Sequence, residues 1–400
     1  MEPEGAQTDE RNGQSIWSVP FLILTAANFF QSMAAFTANT TLPLYLDSLG
    51  AGAGAVGVVI GAFAITALLV RPFSGPAFDS FSRKKLLICA LVIGSISFVL
   101  YGFARSVPAL FATRLLHGIG IGCAGPLAMS LVSEFLPVRK LASGISIYML
   151  SQTMAQVIGP AAGLWLMDAV GFRATYLISA CLLAIAMASV SRVKETPRER
   201  PPYQLKLGRM FAREAVSPAI VLALFATSFG GMTSYLVLYG TKLGIPNLGA
   251  YFMVYALCLL ATRPLFGNLA DRFGTQRVLV PGVLCFAASY VMLANIQGFW
   301  GLMAVAVVAS AGFGACVPLV QSLAMAKVGT NRRGTASNTT YTGMDIGSLL
   351  GPMVAGSVIE LLVPLLGSEL SAYSHMWYVM IVPQVVALAI IVSWNVRTRA

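Results

Sequence analysis

A chain of 400 residues, 57% hydrophobic and only 10% charged, with a mean hydropathy of +0.78, excludes a soluble globular domain, whose surface needs far more charge. The formal net charge of +11 does not mark a nucleic-acid partner: Lys and Arg sit in short breaks between apolar runs, and no basic face alternates with aromatics. The six Cys lie inside apolar runs with no C-x-x-C spacing and read as small buried hydrophobes, with no metal site or cofactor expected.

In chain order, residues 1–16 form a polar, acidic tail without a basic n-region or a small-residue cleavage site, so a cytoplasmic tail is expected rather than a signal peptide. Twelve apolar segments follow, at 17–46, 53–75, 85–104, 107–135, 141–167, 174–193, 217–241, 248–267, 278–297, 299–327, 335–363 and 375–396. Each is close to the roughly 20 apolar residues that cross a bilayer as a helix. The breaks are short except at 194–216, a charged, Pro-containing loop that divides the chain into six-helix units over 17–193 and 217–396, with 397–400 as a final tail. The expected class is an all-α polytopic membrane protein of twelve transmembrane helices in two pseudo-symmetric six-helix bundles.

Charge placement gives the orientation. Of the 26 Lys and Arg, 22 fall in the tails and even-to-odd breaks, three (Arg105, Arg173, Lys242) fall on the opposite side, and Arg114 lies inside a span. The excess predicts both termini in the cytoplasm. The phrase RPLFGNLADRFGTQR at 263–277 repeats RPFSGPAFDSFSRKK at 71–85 with an offset of 192, which also relates Gly120 to Gly312, Pro126 to Pro318 and Gly159-Pro160 to Gly351-Pro352. Two parallel copies of a six-helix unit around a midplane cavity are the build of an alternating-access carrier.

Polar residues within the spans are the candidate site. Asp345 is deep in an apolar segment, where an ionised carboxylate is expensive and functional by default. On that helix Gly343, Gly347 and Gly351 make one stripe, suited to helix contact, while Asn338, Tyr341, Asp345 and Ser348 make the opposite one, expected to face the cavity. Further cavity candidates are Asn28, Gln31 and Asn39 on helix 1 and Tyr148, Gln152 and Gln156 on helix 5. Among aromatics and Met, these suggest an amphipathic or mixed substrate. Arg114 lies about two turns inside helix 4, where it must face a cavity or a partner, and His117 follows one turn on. With two His and no G-x-x-x-x-G-K-[ST] loop, neither catalysis nor ATP-driven work is supported.

These motifs together resemble the major facilitator superfamily over essentially the whole chain. The resemblance implies a cytoplasmic latch built from Arg71, Gly75, Asp79, Arg83 and Lys84 in the first copy, from Arg263, Gly267, Asp271, Arg272 and Arg277 in the fuller second copy, and from Glu134 and Lys140 of the loop between helices 4 and 5. RLLHGIGIGCAGP at 114–126 resembles the family's helix 4 motif, which implies a part for Arg114 in proton coupling with Asp345. SQTMAQVIGPAAG at 151–163 resembles the helix 5 motif of antiporters, with Gly159, Pro160 and Gly163, and Gly351 and Pro352 on helix 11, as a hinge. Within the family the chain looks most like bacterial multidrug/proton antiporters and opine-metallophore exporters. That implies a monomeric carrier in the bacterial plasma (inner) membrane that exchanges a small-molecule substrate for protons. An uptake symporter for a sugar or organic acid, and more distantly a non-transporting receptor or scaffold, are the alternatives.

Overall fold

The computed structural model describes residues 16–137, 141–195, 202–203, 211–328 and 333–397, and among them every regular element is a helix. The elements are α1 (Val19–Ser48), α2 (Ala53–Ser80), α3 (Arg83–Phe103), α4 (Val107–Ser133) and the 51-residue stretch Leu141–Ser191. In that last stretch Gly171 has φ 77°, a left-handed value that only Gly adopts freely, so it divides into two arms, α5 before it and α6 after it. Then come α7 (Val216–Lys242), α8 (Gly249–Phe273), α9 (Thr275–Ala294), α10 (Gly298–Ala326), α11 (Arg333–Leu366), α12 (Glu369–Val379) and α13 (Val382–Arg397).

Local signals set the ends. Ser18 and Ser82 cap α1 and α3, accepting from the backbone N–H of Phe21 and Lys85. Between α12 and α13 the carbonyl of Met380, left over at the break, accepts from the Ser228 hydroxyl at 2.9 Å.

Eleven stretches among the described residues are long and apolar enough to cross a membrane, and one of them, Ile147–Ser191, has 45 residues. At 1.5 Å per residue that is roughly 68 Å, twice the hydrocarbon thickness, so α5 and α6 each cross once. The final stretch, Glu369–Trp394, comprises α12 and most of α13. Large apolar side chains face outward all round the bundle, among them Leu69, Trp165, Trp300 and Leu365, as a bilayer requires and water does not. The chain is a multi-pass membrane protein whose described residues make twelve crossings, so both described ends emerge on one side, the near end.

Two bundles, α1–α6 and α7–α13, are each held by close helix packing. In the second, Gly343, Gly347 and Gly351 of α11 lie on the backbone of α7 at Ala219, Ala223 and Thr227, where any Cβ would overlap a carbonyl. In the first, the Thr37 hydroxyl donates to the Gly159 carbonyl at 3.1 Å, joining α1 to α5. Between bundles the main seams are α2 with α11 and α5 with α8. Along the α2–α11 seam, Gly57, Gly61 and Gly356 place backbone against backbone: a Cβ on them would strike the carbonyls of Pro352, Leu349 and Ala53.

Candidate functional site

A chamber of about 870 Å³, counting its open part, lies between the two bundles. Its walls differ in chemistry. One wall carries Asn39 of α1, Arg114 of α4 and Gln156 of α5; the other carries Phe229 of α7 with Tyr251, Phe252 and Tyr255 of α8. Phe229 stacks on Phe313 at 4.2 Å between centroids, which fixes that wall from behind.

The far end of the chamber is shut. Lys242 at the end of α7 pairs with Glu369 at 2.9 Å and reaches Asp47 at the end of α1, in the other bundle, at 4.0 Å. The Tyr235 hydroxyl of α7 donates to the Ala53 carbonyl of α2 at 2.6 Å and lies 3.3 Å from the Pro352 carbonyl of α11. Gly249 at the start of α8 rests on Ala161 of α5. Toward the near end the same helix faces open: Gln152, one turn before the lining Gln156, is exposed, and so is Tyr341, two turns before the lining Ser348. The chamber is therefore closed at the far end and accessible from the near end.

Arg114 is the buried charge of the polar wall, with 1% of its surface exposed. Its Nη2 donates to the Asn39 side-chain oxygen at 2.8 Å, its Nε to the Ile60 carbonyl at 3.3 Å, and the guanidinium lies 4.7 Å from the Phe63 ring centroid. Asp345 is elsewhere, on the α2–α11 seam. Arg71 of α2 grips it at two points, Nε to Oδ2 at 2.5 Å and Nη2 to Oδ1 at 3.1 Å, with Tyr341 under the guanidinium at 5.6 Å. This two-point, charge-assisted contact joins the bundles.

Arg114 and Asp345, expected to act together in proton coupling, lie apart: α4 turns Arg114 toward Asn39 of α1 and Ile60 of α2, whereas Asp345 meets Arg71. Arg71, expected in the cytoplasmic latch, lies nine residues, two and a half helical turns, before the end of α2 at Ser80 and reaches α11 of the other bundle.

Of the cavity candidates, Asn39 and Gln156 line the chamber, as do Pro160 and Pro352. Asn28 is drawn away from it, its Nδ2 donating to Ser151 Oγ at 2.8 Å, and the fully packed Tyr148 is not among the lining residues either. Gln31 borders a smaller space beside His117, and that His packs among Phe98 and Tyr101 with Nδ1 at 3.3 Å from the Tyr101 hydroxyl. Asn338 is half-buried in the first turns of α11.

At the near end Arg83 pairs with Glu134 at 2.8 Å, Glu195 accepts from the Ser82 hydroxyl and the Arg83 N–H, and Lys84 donates to the Ser191 carbonyl at 2.6 Å. These ties join α3 to α4, to the end of α6 and to Glu195 just beyond it. Arg272 lies over its neighbour Phe273, Arg277 is exposed, and Gly267 has open space around it. Lys140 and the side chains at Gly75, Asp79, Arg263 and Asp271 lie outside the described residues. At the Gly-Pro steps α5 and α11 stay helical; Gly159 and Gly163 admit Phe36 and Thr37 of α1.

Residues that the sequence reading missed are the Arg71 partner of Asp345, the Asp47–Lys242–Glu369 group, Tyr235 and the aromatic wall. The charged group had a signal: all three sit at breaks on the side that is otherwise poor in charge.

A family model described as Major Facilitator Superfamily matches residues 24–352 and 246–399. The chain belongs to the major facilitator superfamily. It is a transporter of small molecules and not an enzyme. Among curated relatives, the staphylopine export protein of Staphylococcus aureus is 26% identical over 63% of this chain and 65% of its own length, just under two thirds. The multidrug resistance protein MdtG of Escherichia fergusonii is 26% identical over 94% of both chains, and the quinolone resistance protein NorA of Staphylococcus aureus is 23% identical over 80% of this chain and 84% of its own. Of solved structures, the nucleoside transporter NupG aligns with a TM-score of 0.75 at 15% identity, covering 94% of this chain and 98% of that one. A bacterial homologue of the human lysosomal transporter Spinster, in an inward-facing and unoccupied conformation, aligns with a TM-score of 0.74 at 18% identity, covering 95% and 97%. At such identities these two speak for the fold alone.

Proposed function

We propose that the chain exports a small organic molecule, drug-like or a metallophore, in exchange for protons, as a monomer in a bacterial plasma membrane. The near end faces the cytoplasm in this reading, supported by the 22 of 26 basic residues that the sequence puts on that side, and the structure then corresponds to an inward-open shape. The loop over 194–216 tethers two rocking domains. The names of the relatives, export and multidrug resistance, favour outward movement over uptake.

The observation that carries the coupling is the Arg71–Asp345 pair, because it is a titratable tie between the two bundles. A proton on Asp345 cancels the carboxylate charge and weakens the two-point grip, so α2 and α11 part more easily. Release of that proton to the cytoplasm restores the tie while the chamber takes substrate. Proton and substrate thus favour different shapes, which is what exchange requires. The membrane potential adds about 2.3 kcal/mol per charge per 100 mV.

Inverted membrane vesicles with an imposed proton gradient, interior acidic, test the reading. Gradient-dependent accumulation of a fluorescent drug or metallophore supports export. Accumulation only under the opposite gradient establishes uptake symport instead.

A further inference from the structure

We propose that the substrate is an amphiphile with a carboxylate or similar anionic group, seated with its anion on the Arg114 wall and its apolar body on the aromatic wall. This rests on the transporter reading of the chamber and names the chemistry of its occupant.

Arg114 is the charged residue among the described lining. Its neighbours, the Asn39 side chain, the Ile60 carbonyl, the Phe63 face and the Tyr101 hydroxyl, are all neutral, and its Nη1 is buried without a hydrogen-bond partner. No carboxylate lies within ion-pair distance of it among the described residues. Asp345 is engaged by Arg71, and Asp79 lies 16 residues beyond Phe63, roughly 24 Å further along α2. The chamber wall therefore holds a cation that no described residue neutralises, and a desolvated cation is costly until an anion meets it.

Hydrogen-bond polarity agrees. Asn39 spends its oxygen on Arg114, which leaves its Nδ2 as a donor, and Gln156 carries a second amide on the same wall. The hydroxyls of Thr233 and Ser234, by contrast, give their protons to carbonyls of their own helix, on the other wall. The positive charge and the two side-chain amides thus lie on one side, beside Phe36 and Phe63, and the larger group of rings, Phe229, Tyr251, Phe252 and Tyr255, lies on the other. A lipophilic cation suits the rings but meets Arg114 without a countercharge.

Three matched probes decide it: 2-naphthylacetate, 2-naphthylacetamide and (2-naphthylmethyl)trimethylammonium, titrated against the purified full chain by tryptophan quenching and thermal shift. The carboxylate is expected to bind at least tenfold more tightly than the amide, with the ammonium weakest. Arg114→Lys should keep this order, and Arg114→Gln should flatten the carboxylate-to-amide ratio toward one while amide binding persists, which also reports a folded variant. Equal or tighter binding of the ammonium, or no binding of any probe, overturns the proposal. Binding in this order with no gradient-driven outward movement leaves it standing and fails only the export reading.

Discussion

Replacing Asp345 by Asn removes one negative charge from the α2–α11 seam and leaves its shape nearly unchanged. The pair it breaks is close, at 2.5 and 3.1 Å, and its side chains are 19% and 16% exposed. Stripping one partner from a fully buried pair costs about 3–5 kcal/mol. With this residual exposure, solvent screening brings the expected loss down to roughly 2–3 kcal/mol. At about 1.4 kcal/mol per factor of ten, that is a shift of roughly 30- to 150-fold in the balance between shapes, away from the bridged one. Two assays separate coupling from folding. Gradient-driven transport in inverted vesicles should fall to background in Asp345→Asn, whereas substrate exchange without a gradient should persist. The double variant Arg71→Gln/Asp345→Asn should recover thermal stability relative to the single one, since it leaves no unpaired charge, but should stay uncoupled. Undiminished gradient-driven transport by Asp345→Asn, at normal abundance in the membrane, would refute the reasoning.

Three further outcomes are expected. Gly347→Val drives a side chain into the Ala223 carbonyl and should cost at least about 1–3 kcal/mol, seen as a lowered melting temperature in detergent, whereas Gly267→Ala, with open space around it, should not destabilise; equal effects would contradict the packing described. Lys242→Ala loosens the far-end closure, but its partner Glu369 is 50% exposed, so the shift should not exceed about 1 kcal/mol, roughly fivefold in labelling of Ser234→Cys from outside by an impermeant maleimide in a cysteine-free background. No change in labelling would remove Lys242 from the closure. Arg83→Ala and Glu134→Ala should show a coupling of about 1–2 kcal/mol in a double-mutant cycle of thermal stability, and strict additivity would mean the 2.8 Å contact contributes nothing.

What was legible in the sequence was periodic or repeated. Apolar runs long enough to cross a bilayer gave the spans, the constant offset of 192 gave the two bundles, and the spacing of Gly343, Gly347 and Gly351 gave the face of α11 that meets α7. Partnerships between bundles were not legible. Arg71 and Asp345 are 274 residues apart, and nothing in the repeated phrase that holds Arg71 points to a partner on α11. Helix phase likewise placed Asn28 and Asn39 on one line, yet only Asn39 meets the chamber; a short hydroxyl on α5, Ser151, claims Asn28. Angle along one helix states which residues share a side, while the neighbour on that side is set by tertiary packing.

Beyond the Arg71–Asp345 pair, the seam of α2 with α11 brings main chain against main chain at Gly57, Gly61 and Gly356, which put nothing of their own between the helices. Its fit there depends on the path of the polypeptide, whereas Phe229 lies in the chamber wall on α7, away from that main-chain contact. In the exchange reading proposed above, cargo preference and movement along this seam then rest on different residues, so a change of cargo needs no change in the bearing.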